Sequence, residues 1–166
     1  MNAIVSVTKT WGIGLNNKLL IHNPKDMQFF KNKTTGGCII CGKTTFESFP
    51  NGALPNRLNI VISHTTINNP SIHIANSIYD AINIAHKYYD TNNVWVVGGT
   101  SIYEQMLPYC RYTYVTKHDI IKEADTYFPN LDININWLLT EAISNDITPD
   151  NIPFSIVKYT NINPKL

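Results

Sequence analysis

The chain has 166 residues, 43% of them apolar and 15% charged, which fits a single globular domain over residues 1–166. The formal net charge of +1 gives no reason to expect a nucleic-acid partner, which would favour a basic surface. No segment approaches the roughly 20 apolar residues of a membrane span. The N-terminus lacks the basic region of a signal peptide, so we expect a cytoplasmic protein without a membrane partner.

Strand and helix signals alternate along the chain. Short apolar runs predict strands at 3–7, 38–41, 58–62, 72–74, 94–97, 111–118, 137–143 and 154–159. Helical spacing and capping residues predict a helix from Asn23-Pro24 to Gly36-Gly37 and helices at 43–49, 77–88 and 100–107, while residues 9–23 are expected to form a loop. Alternation of this kind predicts βαβ units and a mainly parallel sheet, with an antiparallel edge where the last strands lack helices between them.

Capping residues mark three helix starts. Asn23 suits the cap and Pro24 the first turn of a helix whose apolar face would carry Met27, Phe30 and Thr34. Two further helices each begin at a serine followed three residues later by an acid. These pairs, Ser77 with Asp80 and Ser101 with Glu104, predict capping boxes.

Two glycine-containing turns follow predicted strands and open helices. Gly98-Gly99 at a strand end would let a ligand approach the backbone, with the free N–H groups of the next helix facing a pyrophosphate. A tight turn with no ligand explains the same pattern. The segment Gly42–Ser48 gathers a lysine and hydroxyls in a plausible phosphate clamp, although an ordinary capped helix fits equally. It lacks the spacing of a P-loop, which excludes nucleotide hydrolysis on that basis.

Two charged residues have both a structural and a functional interpretation. Asp26 occupies the third helical position after Asn23, where a carboxylate stabilises any helix, but it is also an acid among apolar neighbours that suits proton transfer. Arg57 precedes a buried strand and could hold a carboxylate bidentately or form a surface ion pair.

No metal site is expected. Cys38 and Cys41 lie three apart in a predicted strand, so their sulfurs point to opposite faces and do not converge. With Cys110 they make an odd number of cysteines, which we expect to be reduced thiols. The five histidines have no metal-ligand spacing.

The order of these motifs along nearly the whole chain resembles the dihydrofolate reductase family. The segments that carry the resemblance are Ile13–Lys31, Gly42–Ser48, Leu54–Arg57, Val97–Tyr103, Tyr114–Thr116 and Asp125–Pro129. The resemblance implies an α/β domain with a mostly parallel eight-stranded sheet and about four helices. It also implies NADPH-dependent reduction of dihydrofolate to tetrahydrofolate, which supplies one-carbon carriers for thymidylate and purine synthesis. The protein would be a monomer and a target for antifolates.

The resemblance assigns roles on the substrate side. Asp26 would bind the pterin amino group and ring N–H and favour protonation of the ring nitrogen, through a water, with Thr116 supporting it. The backbone of Ile4 and Val97 would accept from the pterin edge, and Arg57 would hold the carboxylate of the glutamate tail. The residues expected around the substrate are Ile4, Val5, Asp26, Phe30, Phe49, Leu54, Arg57, Val97 and Thr116.

On the cofactor side, the backbone of Ser6 would hold the nicotinamide carboxamide. The segment 14–19 would close over the nicotinamide. Leu19 in this segment and Ile21 just after it are therefore expected, together with Asp26 and Thr116, to influence catalysis. A cis bond would join Gly98 and Gly99. The residues expected around NADPH are Ser6, Ile13, Gly14, Leu15, Lys18, Leu19, Gly42, Lys43, Thr44, Thr45, Ser63, His64, Val97, Gly98, Gly99, Thr100, Ser101, Ile102 and Tyr103.

The chain departs from the family pattern at several positions. Leu20-Ile21 stands where Pro-Trp is usual, and Ile21 cannot donate a hydrogen bond. Lys43 and His64 replace the usual Arg and Ser near the 2′-phosphate, and Thr100-Ser101 replaces a glycine and often an arginine. Two alternatives stay open. One is an NADPH-dependent reductase of pyrimidine precursors in riboflavin synthesis, which Asp26, Arg57 and Thr116 together disfavour. The other is a nearly inactive ligand-binding domain, which Ile21 keeps open.

Overall fold

The computed structural model describes residues 1–165, which form a large sheet of eight strands, a small sheet of three strands and four α-helices. The strands are β1 (Asn2–Val7), β2 (Gly12–Leu15), β3 (Lys18–Leu19), β4 (Cys38–Gly42), β5 (Leu58–Ile62), β6 (His73–Ala75), β7 (Val94–Gly98), β8 (Tyr112–His118), β9 (Thr126–Tyr127), β10 (Trp137–Ile147) and β11 (Pro153–Asn161). The helices are α1 (Pro24–Thr34), α2 (Lys43–Glu47), α3 (Ile78–Tyr88) and α4 (Thr100–Met106).

The large sheet has the strand order β10-β11-β8-β1-β7-β4-β5-β6. The pairings from β8 through β6 are all parallel, and β11 runs antiparallel to both β8 and β10. The predicted α/β class, the mostly parallel sheet and the antiparallel edge are therefore confirmed. No helix within residues 1–165 is both long and apolar enough to cross a membrane.

Hydrophobic packing covers both faces of the sheet. Ala3 and Val5 of β1 belong to the core that also includes buried residues of α3 and α4, whereas Ile4 packs with Trp95 and Phe30 on the face that α1 covers. Strands buried on both faces are apolar along their whole length, which is why these runs lack the alternating pattern of a half-exposed sheet.

Helix α1 begins as predicted, with Asn23 Oδ1 accepting a hydrogen bond of 3.2 Å from the Asp26 N–H. Thr34 is buried and Phe30 half-buried, but Met27 is 60% exposed. Met27 is therefore not buried with the other two residues predicted on this face, and Phe29 packs on the sheet instead.

The two predicted capping boxes have different outcomes. Ser77 Oγ caps α3 by accepting from the Asp80 N–H at 3.1 Å, while the Asp80 carboxylate accepts from the N–H one residue before the cap. The box of Ser101 and Glu104 is wrong, because Gly99 is the residue that precedes α4 and Ser101 lies inside the helix. The Ser101 hydroxyl bonds within α4.

The predicted loop at 9–23 contains a β-hairpin. Asn16 and Asn17, with φ of 51° and 62°, form the two-residue turn between β2 and β3, as expected for the hairpin turns that need two positive φ angles. Strand β2 also pairs with β9, so closely that a Cβ on Gly14 would lie 2.9 Å from Thr126 Oγ1. The sequence signal was the Asn pair, but its partner β9 is distant in the chain.

The bounds of the other predicted elements agree with the structure to within two residues, except at β10. The strand predicted at 137–143 continues to Ile147, because β10 pairs with β11 over its whole length.

Candidate active site

The site lies where β1 and β7 separate. Their pairing ends at Ala3 and Val96, and β7 contains an extra residue, Val97, between the β4 pairings Ile40–Val96 and Cys41–Gly98. A bulge of this kind frees the backbone groups of Val97 from the β4 ladder. Crevices at the carboxyl ends of parallel strands are the usual ligand sites of open α/β sheets.

Asp26 is the acid of this crevice. Helix α1 presents its carboxylate to β8, where the Thr116 hydroxyl donates a hydrogen bond to Asp26 Oδ1 at 2.5 Å. Burial raises the pKa of Asp26 to about 6, and the hydrogen bond from Thr116 opposes this rise without cancelling it. This hydrogen bond joins Asp26 and Thr116, which are 90 residues apart in sequence.

Apolar side chains surround the crevice on the side of Asp26. Phe30, Phe49 and Leu54 are half-buried and pack in the same cluster as Ile4. The Ile4 carbonyl already accepts a hydrogen bond of 2.7 Å from the Tyr103 hydroxyl. Because a carbonyl has two lone pairs, it can accept a second hydrogen bond from a ligand.

Arg57 lies at the outer end of this apolar wall. Its Nε–H donates to the Pro55 carbonyl at 2.9 Å and its Nη1 donates to Thr34 Oγ1 at 3.0 Å. Arg57 forms no ion pair with any residue in the range 1–165. Its remaining N–H groups are therefore held in place and available for a carboxylate ligand.

A cleft of about 430 Å³ continues from the crevice on the other side. The predicted cofactor residues that line it are Ser6, Ile13, Gly14, Lys18, Leu19, Gly42, Lys43, Thr44, Thr45, Val97, Gly98, Gly99, Thr100, Ser101, Ile102 and Tyr103. Leu15, Ser63 and His64 are not part of this lining. Val5 also lines the cleft, together with Asn17, Ser48 and Thr126, which the sequence analysis did not list among the residues around NADPH.

Two helices begin at the cleft without a side-chain cap. Gly42 precedes α2 and Gly99 precedes α4, whereas α1 and α3 are capped by Asn23 and Ser77. The N–H groups of the two uncapped first turns lack side-chain partners within residues 1–165 and suit an anion. The bond between Gly98 and Gly99 is cis, as the resemblance implied. A Cβ on Gly99 would lie 3.2 Å from Thr45 Oγ1, so a side chain there would narrow the cleft.

Lys43 supplies a positive charge at the rim. Its Nζ donates to Thr65 Oγ1 at 2.9 Å and lies 3.8 Å from Glu47. The hydroxyl of Ser63 is buried and engaged in the same turn with Thr65, while His64 is exposed beside it. Lys43 is thus held by contacts that a phosphate could replace or extend.

The hairpin β2–β3 covers one end of the cleft. The Asn16 N–H donates to Asp125 Oδ2 at 2.9 Å, and the Asp125 N–H donates to the Gly14 carbonyl at 3.0 Å. Leu19 is 74% exposed at the cleft, as expected for a residue positioned to contact a ligand, while Ile21 is half-buried and outside the lining.

Several known proteins resemble this chain. The family model described as dihydrofolate reductase matches residues 1–161. Dihydrofolate reductase from Buchnera aphidicola of Acyrthosiphon pisum is 35% identical over 95% of this chain and 98% of its own. Dihydrofolate reductase type 9 from Escherichia coli is 31% identical over 99% of this chain and 94% of its own length. The chain belongs to the dihydrofolate reductase family.

A solved structure agrees with this family assignment. Dihydrofolate reductase from Enterococcus faecalis, complexed with NADP(H) and RAB-propyl, superposes with a TM-score of 0.85 at 27% identity and covers 96% of this chain and 95% of its own. The assignment to the dihydrofolate reductases decides against the alternative of a pyrimidine reductase. Within residues 1–165, no group of three or more His, Cys, Asp or Glu side chains is arranged to hold a metal ion.

The site residues missed from the sequence had weak signals. Asn17 lies in the Asn-Asn turn, and Thr126 follows Asp125 in a segment that carried the resemblance. Their position in the cleft depends on the pairing of β2 with β9. A sequence pattern does not report that pairing.

Proposed function

We propose that this chain reduces 7,8-dihydrofolate to 5,6,7,8-tetrahydrofolate with NADPH, and that Asp26 and Thr116 bind the pterin. The observation that carries the assignment of these residues is a single half-buried carboxylate, hydrogen-bonded to Thr116, at the inner end of an apolar crevice. A pterin presents an amino group and a ring N–H to such a carboxylate. Phe30, Phe49 and Leu54 would contact the flat ring and the adjoining aromatic group.

The glutamate tail of the substrate would extend to Arg57. This guanidinium is oriented by Pro55 and Thr34 and has N–H groups to spare. A fixed guanidinium can bind a carboxylate through two parallel hydrogen bonds. The crevice thus has a carboxylate, Asp26, at its inner end and a cation, Arg57, at its outer end. These groups are complementary to the pterin and to the glutamate carboxylate, the two ends of folate.

The lining of the second cleft fits NADPH. The uncapped starts of α2 and α4 suit the pyrophosphate and Lys43 suits the 2′-phosphate, while Gly98 and Gly99 leave room for close approach. NADPH supplies the hydride. Ser6 would orient the nicotinamide by its backbone groups, and the hairpin carrying Leu19 would exclude water during the transfer.

Asp26 would favour protonation of the substrate without donating the proton itself. As a carboxylate in an apolar site, it increases the proton affinity of the pterin that it binds, and a water delivers the proton to the ring nitrogen. Thr116 keeps the carboxylate oriented by donating to Oδ1. Reduction then places the hydride on the carbon beside that nitrogen.

The test is NADPH oxidation, followed by absorbance, with dihydrofolate as substrate and with Asp26→Asn as the variant. Turnover that collapses in Asp26→Asn, with both ligands still bound, supports the proposal. Asp119→Asn is the matched control, because Asp119 is an exposed carboxylate paired with Lys9 at 2.9 Å. Full turnover in Asp26→Asn would contradict the assigned role, and binding of both ligands without turnover by the parent protein would indicate a binding domain.

Ile21 provides a second test of the site. An isoleucine cannot donate a hydrogen bond to a water near the pterin, as the usual Trp can. We expect Ile21→Trp to raise the rate of hydride transfer, measured in a single turnover with deuterated cofactor. An unchanged rate would reject this role for Ile21.

We also propose that the protein acts as a monomeric single domain in the cytoplasm and binds no nucleic acid. The three buried free cysteines support the cytoplasmic location. The net charge of +1 supports the absence of a nucleic-acid partner. Sedimentation at several concentrations tests the oligomeric state. Concentration-dependent association would contradict the monomer.

A further inference from the structure

His118 differs from the other histidines of the chain. It is 1% exposed, whereas His22, His64, His73 and His86 are exposed. It lies at the end of β8, two residues after Thr116, so both side chains point to the same side of the strand. The mechanism proposed above does not use it.

The contacts of His118 fix its protonation. The Val7 carbonyl lies 3.2 Å from Nδ1, and because a carbonyl only accepts, Nδ1 carries the proton. Nε2 of the neutral ring is then an acceptor, and the Asn23 side-chain amide donates to it at 3.0 Å. This orientation leaves Asn23 Oδ1 to accept from the Asp26 N–H. Each donor faces an acceptor in only this arrangement.

Strand β8 thus holds Asp26 at two points. Thr116 binds its carboxylate directly, and His118 holds its backbone N–H through Asn23. We infer that His118 and Asn23 form a positioning pair that fixes the Asp26 carboxylate relative to the pterin. The inference rests on the function proposed for Asp26. His118 is a positioning residue, since it reaches the substrate only through Asn23 and Asp26.

The same ring connects the acid to the cofactor side of the crevice. Nδ1 of His118 lies 3.4 Å from the Ser6 hydroxyl, and Ser6 is the register partner of Thr116. Ser6 is the residue proposed to orient the nicotinamide. One buried imidazole therefore bridges the strand that would hold the hydride donor and the helix start that would hold the acceptor.

The surroundings of His118 keep it neutral. The groups packed against the ring from other elements are the Val7 carbonyl, the Ser6 hydroxyl, the Asn23 amide and the Phe154 ring at 5.6 Å between centroids. None of these groups carries a charge, and burial lowers the pKa of His118.

The charged side chains adjacent to His118 in sequence are engaged elsewhere. Lys117 pairs with Asp132 at 3.0 Å and Asp119 pairs with Lys9 at 2.9 Å. Apart from Asp26, two hydrogen bonds away, the ring therefore has no charged partner in this network.

Protonation of His118 would reverse the network. An Nε2–H would face the amide donors of Asn23, so the amide would have to turn over and present its oxygen to the ring. The Asp26 N–H would then lose its acceptor. The pair therefore positions Asp26 only in the neutral form.

The test compares His118→Phe with His118→Gln. Phe keeps a ring and loses both hydrogen bonds, whereas Gln keeps one donor and one acceptor and cannot become charged. Thr113→Val is the matched control, because Thr113 is fully buried on the same strand and its hydroxyl has no hydrogen-bond partner within residues 1–165. The readouts are the pKa of Asp26 by carbon NMR in the ligand-free protein, the rate of single-turnover hydride transfer and the KM for NADPH.

We expect His118→Phe to slow hydride transfer roughly tenfold, within the range expected for small misplacements of reacting groups, with little change in KM for NADPH. The pKa of Asp26 should rise further as its contact with Thr116 loosens. Gln should restore most of the rate, and Thr113→Val should change neither property. An unchanged rate and an unchanged Asp26 pKa in His118→Phe would overturn the inference.

Two measurements keep the inference testable if His118→Phe does not fold. Nitrogen NMR of the parent protein should find Nδ1 protonated and Nε2 bare at pH 7, and the opposite tautomer would overturn the pair. The double variant Asn23→Leu with His118→Leu removes both members of the pair together, leaves the Asp26 N–H without its side-chain acceptor, and should show the same slow transfer. A failure of Asp26→Asn to lose turnover would reject the role proposed for Asp26, yet the effect of His118→Phe on the pKa of Asp26 would still be measurable by NMR.

Discussion

The two halves of the active site are built in different ways. On the substrate side, Asp26 is held by side chains that are themselves buried: Thr116, Asn23 and His118. On the cofactor side, the cleft is formed by backbone, by glycines and by side chains such as Lys43 and Leu19 that are partly or largely exposed.

Because of this difference, we expect the substrate side to fix the position of the reacting groups and the cofactor side to provide binding affinity. A buried hydrogen-bonded network has one favourable arrangement, so it can fix an acid relative to a reacting atom. Uncapped helix starts and exposed cations bind an anion without demanding one exact position. We therefore expect changes on the substrate side to act mainly on the rate and changes on the cofactor side mainly on binding.

The largest effect is expected from Asp26→Asn. Its kcat/KM at pH 7 should fall about 10²- to 10⁴-fold, the usual contribution of acid–base assistance. The deficit should shrink as pH falls, because substrate already protonated in solution no longer needs the carboxylate. The ratio of parent to variant, measured between pH 5 and 8, checks this. A ratio that is constant across that range would mean that Asp26 acts only in binding.

The same substitution should stabilise the fold. The unfolded carboxyl has a pKa near 3.8 and the folded one about 6, so folding is favoured by protonation and stability falls as pH rises from 3.8 through 6. The shift corresponds to about 3 kcal/mol at pH 7. Loss of a favourable carboxylate in the first turn of α1 offsets up to about 1 kcal/mol of this gain in stability.

We therefore expect Asp26→Asn to raise the free energy of unfolding by about 2 kcal/mol at pH 7. Urea denaturation at pH 7 and below pH 4 checks this, and the gain should vanish at the lower pH. A variant that is less stable than the parent at pH 7 would show that the acid contributes to folding as well as to the site.

Gly99→Ala should raise the Kd for NADPH about tenfold, because the added Cβ would lie 3.2 Å from Thr45 Oγ1 inside the cleft. Dihydrofolate affinity should not change. Gly36→Ala is the control, because its φ of 84° makes it costly to stability while it lies outside the cleft. Equal losses of both ligands in Gly99→Ala would indicate that the two halves are not separable.

The smallest effect is expected from Lys43→Gln. Lys43 is a partly exposed point charge, so its removal should lower the preference for NADPH over NADH about fivefold and leave NADH use unchanged. Kinetics with both cofactors measure this preference. Lys25→Gln, which removes an exposed charge paired with Asp146, is the control. An unchanged preference would place recognition of the 2′-phosphate on other groups.

Much of the fold followed from local patterns. The buried strands are continuous apolar runs, and Asn23 and Ser77 mark helix starts by side chains that accept from nearby N–H groups. The errors arose where distant segments decide the structure. The loop at 9–23 contains a hairpin that pairs with β9, and α4 begins at Thr100, after Gly99, with Ser101 inside the helix and not at its cap.

The sequence by itself determined the family, the βαβ order and most of the residues that line the cleft, because apolar runs, glycines and caps act within a few positions. Only the tertiary structure brought Asp26 to Thr116 and Asn23 to His118 across at least 90 residues. Those contacts depend on strand register and on the placement of α1 against β8. Burial then raises the pKa of Asp26 and keeps His118 neutral, properties that belong to the environment of a residue and not to its type.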